Sequence, residues 1–187
     1  GDLGETKINN RNIVVAEPAI LARASKEFED MEKYLSAIEN YLHPYEWGDF
    51  KAVVLPKSFP FGGMENPNLT FLSPSVVVGD KSGISTVIHE MVHSWSGNSL
   101  TCQNWECFWL NEGLTVFIER EVIRRLYGED EYKLKAVEGN NSLKTYVNIF
   151  GLNHSFSSLT PDVKNTNPDD CFSSIPYEKG FQYLTYL

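Results

Sequence analysis

His89-Glu90-Met91-Val92-His93, followed after eighteen intervening residues by Glu112, is the part of the sequence whose residue types and spacing could do chemistry. On a helix, positions four apart project from one face, one turn apart. Two imidazoles so placed can reach a single zinc ion. Glu90, next to the first of them, can point at the ion's open position and act as a general base. Glu112, within Trp109-Leu110-Asn111-Glu112-Gly113, would supply a third, oxygen ligand. Two His and one Glu leave a fourth position for water, which is the arrangement of a catalytic site and not of a closed structural one.

The pentapeptide alone also fits a solvent-facing helix, so the flanks decide. Ile84, Val87, Ile88, Met91, Val92 and Trp95 make the helix around His89 mostly apolar. A buried helix does not keep two His and a Glu without partners, because unpaired buried polar groups are costly. A metal ion removes that cost. The Glu112 segment has its own helical pattern in Leu110, Leu114, Phe117, Ile118, Ile123 and Leu126, and Gly128 suits the position just past its end.

These two helices need a frame. At 187 residues the chain can hold one domain with a sizeable core. Ile13-Val14-Val15 reads as extended, after a connector over residues 1–17. Pro18 suits a first helical position, and Leu21, Ala24, Phe28, Met31, Leu35, Ile38 and Leu42 recur at steps of three and four, which predicts one amphipathic helix. Lys51-Ala52-Val53-Val54-Leu55 is strand-like and stops at Pro56, and residues 59–67 form a Gly/Pro-punctuated loop. Thr70-Phe71-Leu72 and Ser75-Val76-Val77-Val78 read as short strands separated by Pro74. Helices are expected around His89, around Glu112, over residues 130–147 and from Pro176 onward, with residues 151–176 largely loop. The fold class expected is α+β: a small mixed sheet with one long helix over residues 1–80, then a mainly helical lobe over residues 81–187 that carries the zinc site. The last seven residues are apolar and helical with no capping Gly or charged tail, so 1–187 is read as a single, incomplete domain of a longer protein.

Composition narrows the function classes. The net charge of −9 argues against a nucleic-acid surface. It fits either a solvated acidic surface or a cleft that attracts a cation such as a peptide's free amine. No apolar run reaches the length of a membrane span, and no signal-peptide pattern opens the chain. Three cysteines, with Cys102 and Cys107 close together and no second pair to complete a zinc ribbon, read as reduced thiols of an intracellular, cytoplasmic protein. The Asn-x-Ser/Thr matches at Asn68, Asn140 and Asn153 matter only in a secreted chain.

Gly62-Gly63-Met64-Glu65-Asn66-Pro67 is a second constellation. From the residues alone it is either an ordinary Gly-rich hairpin with a surface Glu, or a segment whose N–H groups hold a peptide backbone by strand addition while Glu65 receives a cation. This segment, His89-Glu90-x-x-His93-Ser94-Trp95-x-Gly97-Asn98, Trp109-Leu110-Asn111-Glu112-Gly113 and Pro176-Tyr177-Glu178-Lys179-Gly180 together resemble the gluzincin aminopeptidases, most of all their leukotriene A4 hydrolase and aminopeptidase B branch. The motifs occur in the family's order, and the resemblance covers nearly the whole chain.

The resemblance implies a thermolysin-like catalytic domain, flanked in the parent protein by an N-terminal β-domain and a C-terminal helical domain. It implies one zinc ion held by His89, His93 and Glu112, with Glu90 as general base. Glu65 would hold the α-amine of a peptide with a free N-terminus, and Gly62 and Gly63, with Met64 and Asn66 beside them, would line the substrate. Tyr177 would donate to the oxyanion. Glu119, two turns after Glu112, is either a partner of a zinc-bound His or a surface residue. Asp169 is either a plain loop Asp or the acidic position that the leukotriene hydrolase uses on its lipid epoxide. Phe172 stands where the mammalian leukotriene hydrolase carries a Tyr, a departure on the lipid side of the chemistry only. A zinc aminopeptidase is therefore the reading. The alternatives are a fatty-acid epoxide hydrolase, a non-enzymatic peptide-binding module, and an isolated piece that turns over nothing without its neighbours.

Overall fold

Val14 and its neighbours form the second strand of a five-stranded mixed sheet in the computed structural model, which describes residues 2–187. Gly1, the start of the expected connector, lies outside the described residues. The strands are β1 (Gly4–Lys7), β2 (Asn12–Ala16), β3 (Phe50–Val54), β4 (Gly63–Met64) and β5 (Leu69–Leu72), in the spatial order β1-β2-β3-β5-β4. β2, β3 and β5 run parallel, with Val14 opposite Ala52 and Ala52 opposite Thr70. The two edge strands run antiparallel to their neighbours. β2 buries alternate residues, Asn12, Val14 and Ala16, as one face of a pleated strand must. The helices are α1 (Pro18–Glu27), α2 (Met31–Tyr41), α3 (Ile84–Val92), α4 (Trp109–Tyr127), α5 (Glu129–Phe150), α6 (Pro168–Cys171) and α7 (Ile175–Tyr186). The class is α+β, a sheet-bearing part followed by helices. The chain divides into two compact units, one ending at Asn98 and the other spanning Ser99–Leu187.

The single helix expected from the stripe of Leu21 to Leu42 is two helices. Phe28 leaves helical geometry at φ −100° and ψ 16°, and α2 restarts at Met31. Phe28, Met31, Tyr34, Leu35 and Ile38 are all fully buried, so the stripe continues across the break. The cause of the break lies in polar partners. The Glu27 carboxylate accepts the N–H groups of Gly79 and Lys81 at 2.8 and 2.9 Å. Lys81 Nζ in turn reaches Glu29 at 2.8 Å and Asp30 at 2.6 Å.

Other departures have local reasons. The strand expected at Ser75–Val78 is a 3-10 turn, Pro74–Val76, because Pro74 brings no N–H to a ladder and Ser73 Oγ accepts from the Ser75 N–H at 3.2 Å. The expected loop 59–67 contains β4, and the connector contains β1. The loop 151–176 contains a 3-10 turn at Ser155–Ser157 and the four-residue α6, whose Asn167 cap accepts from the Asp169 N–H.

In the first unit, Met91, Val92, Val87 and Ile88 of α3 are fully buried, and this helix packs beneath β4 and β5. In the second unit, α4 packs on α5 and α7. α4 ends at Gly128, whose φ of +97° a side chain would resist. α4 and α7 meet backbone to backbone: a Cβ on Gly113 would stand 2.6 Å from the Gly180 Cα, and one on Gly180 would stand 2.7 Å from the Gly113 Cα. No helix among the described residues is long and apolar enough to cross a membrane.

Candidate metal centre

α3 carries His89 and Glu90 in its last turn and ends at Val92, so His93 sits at its C-cap with helical φ and ψ. The one-turn spacing brings the two Nε2 atoms to 3.1 Å from each other. His93 is 1 % exposed, and its Nδ1 lies 2.7 Å from the carbonyl oxygen of Ser96. A carbonyl can only accept, so Nδ1 carries the proton and Nε2 presents its lone pair toward His89.

The residues after α3 hold this arrangement. Trp47 Nε1 donates to the Ser94 carbonyl at 2.8 Å, and Trp95 Nε1 to the His43 carbonyl at 3.1 Å. Gly97 then turns the chain at φ +121°, and a Cβ there would stand 2.8 Å from His93 Nδ1. Asn98 Nδ2 donates to the Glu65 carbonyl at 2.8 Å, which ties the turn to the Gly62–Pro67 segment. The motif His-Ser-Trp-x-Gly-Asn thus has a structural task at each named residue.

That segment is the edge of the sheet. Gly63 pairs with Leu72 and Met64 with Phe71, and the Gly62 carbonyl accepts the Ser73 N–H at 2.8 Å. The Asn66 N–H returns to the Met64 carbonyl at 3.0 Å, a tight turn that brings Glu65 inward. Glu65 Oε1 lies 3.9 Å from His93 Nδ1. Glu65, Glu90 and His93 have ligand-type atoms all within 4.8 Å of one another. Glu90 is 6 % exposed and fills the space a side chain on Gly63 would need. The structure therefore gathers His89, His93, Glu90, Glu65 and Gly63, while Gly62, Met64 and Asn66 lie along the rim.

The donor set fits a zinc ion. Zinc–nitrogen bonds of about 2.0–2.1 Å at near-tetrahedral angles put two ring nitrogens roughly 3.1–3.4 Å apart. His89 and His93 have that separation, and the carbonyl on His93 Nδ1 is the outer partner that metal-ligating imidazoles use.

The second unit carries the other candidates. Glu112 stands in the first turn of α4 and is 4 % exposed. Glu119, on the same helix, is buried and is not a surface residue. Tyr177 lies in the first turn of α7, its ring edge-on to Phe108 at 6.4 Å between centroids. Asp169 is exposed on α6, and Phe172 is exposed just after it. Burial holds the Cys102 thiol above its usual pKa, with Cys107 nearby as a further cause.

Arg120 is not among the residues to which the sequence assigns a role. Arg120 is 5 % exposed, and its guanidinium forks onto Glu178 with Nη1–Oε2 at 2.8 Å and Nη2–Oε1 at 2.7 Å. The signal was present: Arg120 falls between Val116 and Ile123 on a helix whose neighbours are apolar, where a lone charge needs a partner.

A helix bearing two convergent imidazoles and a buried Glu, set beneath the edge of a mixed sheet, is the build of the metallopeptidases that carry His-Glu-x-x-His. The chain belongs to peptidase family M1, whose domain description, Peptidase family M1 domain, matches residues 26–187. It is 45 % identical over its whole length to leucine aminopeptidase 2 of Sclerotinia sclerotiorum, and likewise 45 % identical to the leukotriene A-4 hydrolase homolog of Botryotinia fuckeliana. It covers 31 % and 29 % of those two proteins, so it spans about a third of the length of the curated relatives it matches. Among solved structures, that of yeast LTA4 hydrolase in complex with bestatin superposes at a TM-score of 0.96 with 41 % identity, covering all of this chain and 30 % of that one.

Proposed function

We propose that the chain is the catalytic core of a zinc aminopeptidase that releases the N-terminal residue of a peptide. The observation that carries this reading is the facing pair of imidazole nitrogens 3.1 Å apart, with Glu90 buried alongside and Glu65 beside His93. His89, His93 and Glu112 hold one zinc ion in this reading. That ion would supply Lewis-acid polarisation of the scissile carbonyl and a water of lowered pKa.

The rest is the work of this chain's own residues. Glu90 takes a proton from the attacking water and passes it to the leaving amine. The Tyr177 hydroxyl donates to the oxygen on which negative charge builds, a contact worth about 3–4 kcal/mol for one donor in a comparable case. β4 is the terminal strand of the sheet among the described residues, so the outer side of its backbone at Gly63 can pair with an extended peptide, while Gly62 just before it holds the Ser73 N–H on the inner side. Glu65 pairs with the peptide's free ammonium and sets the cut one residue from the end. Glu119 is, in this reading, a partner of a zinc-bound His. The relatives named leucine aminopeptidase 2 support a peptide substrate. A cytoplasmic setting is part of the proposal.

The lipid-epoxide reaction has the support of two names, that of the Botryotinia relative and that of the yeast LTA4 hydrolase structure. Asp169 lies exposed on a four-residue helix.

The test is metal content and release of an N-terminal residue, measured on the intact protein and on its Glu90→Gln variant. Zinc retained with turnover lost is the expected result. Equal turnover by the two proteins would remove Glu90 from the mechanism and the reading with it.

A further inference from the structure

α4 and α7 carry in their first turns Glu112 and Tyr177, to both of which the proposed function gives roles. The approach of Gly113 to Gly180 sets the distance between the helices, and the ring contacts Trp109–Tyr183 and Phe117–Phe181 that also join them lack the directionality to fix the rotation of α7 about its own axis. Such a turn matters. A rotation of about 10° would carry a tyrosine hydroxyl, roughly 8–9 Å from the helix axis, by about 1.5 Å, and a misplacement of about 1 Å can cost on the order of 10²-fold in rate.

Glu178, the residue after Tyr177, removes that freedom. It is 8 % exposed and receives the two-pronged fork of Arg120 from α4. The Arg120 guanidinium lies 4.1 Å above the centre of the Phe181 ring, one turn further along α7. On the other side the pair rests on Gly139 of α5, where a Cβ would overlap both Glu178 Oε2 and Arg120 Nη2. Three helices converge on one bidentate contact, whose planar geometry fixes orientation as well as distance. A buried ion pair contributes little net stability compared with apolar residues of the same volume. Its use at this place is accounted for by position.

We propose that Arg120 and Glu178 are positioning residues for the Tyr177 hydroxyl, an inference that rests on the role given to Tyr177 above. The fork locks the rotation of α7, and through Gly139 the lock includes α5.

The test uses the intact protein with Glu178→Gln, Arg120→Lys, and the paired change Arg120→Met with Glu178→Leu, which leaves no charge uncompensated should a single variant fail to fold. Each is made with and without Tyr177→Phe. Zinc content is expected to stay at the level of the unmodified protein. kcat is expected to fall about 10- to 100-fold, as for residues that orient others, with KM within about twofold. In the Tyr177→Phe background the same changes are expected to cost nothing further; a full repeat of the loss there would overturn the inference. Incorporated 3-fluorotyrosine gives a readout free of catalysis. The 19F resonance of Tyr177, assigned by its absence in Tyr177→Phe, is expected to shift or broaden in Glu178→Gln and in the paired variant. An unchanged resonance would overturn the positioning role whatever the activity. Should Tyr177→Phe alone keep the unmodified rate, the proposed role of Tyr177 falls, and the resonance still decides whether the pair holds the ring.

Discussion

Gly63 lies directly against the carboxyl of Glu90: a Cβ built on Gly63 would overlap Glu90 Cγ, Cδ and Oε1. The glycine is required by the proposed general base and not only by an approaching peptide. Its neighbour differs, since a Cβ on Gly62 would make an ordinary 3.6 Å contact with Thr86 Cγ2. Gly63→Ala is therefore expected to lower kcat by at least tenfold with zinc still bound, whereas Gly62→Ala leaves kcat within a fewfold. Steady-state kinetics of the two variants separate these outcomes, and equal losses would show that the fit of Glu90 is not the reason for Gly63.

Gly97 bears on the metal through His93. With φ at +121° and a Cβ that would press on His93 Nδ1, Gly97→Ala strains the turn and displaces the proton that Nδ1 gives to Ser96. Zinc affinity is expected to drop about 10- to 100-fold, measured by competition with a chelator. His93→Ala, which removes a ligand outright, is expected to leave no stoichiometric zinc.

Asn98 is expected to act on substrate binding. Its amide holds the Glu65 carbonyl at 2.8 Å and so fixes the residue proposed to receive the peptide's ammonium. Asn98→Ala is expected to raise KM for an aminoacyl amide by roughly three- to tenfold with zinc unchanged, about the loss of one hydrogen bond. A fall in zinc content instead would place Asn98 with the metal and not with the amine.

How much of this was legible in the sequence follows from the kind of signal each feature leaves. His89, Glu90 and His93 announce themselves because helix geometry alone puts residues four apart on one face. Gly128 as a helix stop is equally local. The break at Phe28 is not, because a step from Phe28 to Met31 suits both a continuous and a broken stripe, and the deciding partners, Gly79 and Lys81, are some fifty residues away. The edge strand at Gly63–Met64 has two residues and no periodicity to read. Arg120 was hidden by its flanks, Glu119 and Glu121, which made a buried ion pair look like a solvated charge run. Such pairing is written in the fold and not in spacing.

Acid is expected to loosen the first unit at a definable place. Arg11 binds Glu32 and Glu39, both through 2.7 Å contacts, and its guanidinium holds both carboxyls below their ordinary value of 4.5. The folded chain then binds these protons more weakly than the unfolded one. The stabilisation is complete above pH about 4.5 and is lost as pH falls through the lowered folded values. The urea midpoint is expected to drop as pH falls from about 4.5 to about 3, and Arg11→Met is expected to flatten that dependence. Parallel curves for the two proteins would assign the acid sensitivity elsewhere.

The short run before α3 has no regular structure, and Lys81 in it sits at φ +65°. Its Gly79 and Lys81 amides nonetheless end on a carboxylate that is 3 % exposed in the core. These two amides should exchange with deuterium only when α1 itself lets go, at rates set by opening of the whole sheet-bearing unit and not by fraying of a loop. The entrance to α3, the helix proposed to hold the metal, thus shares the cooperative fate of the core, so a chelator is expected to leave the protection of these two amides in place.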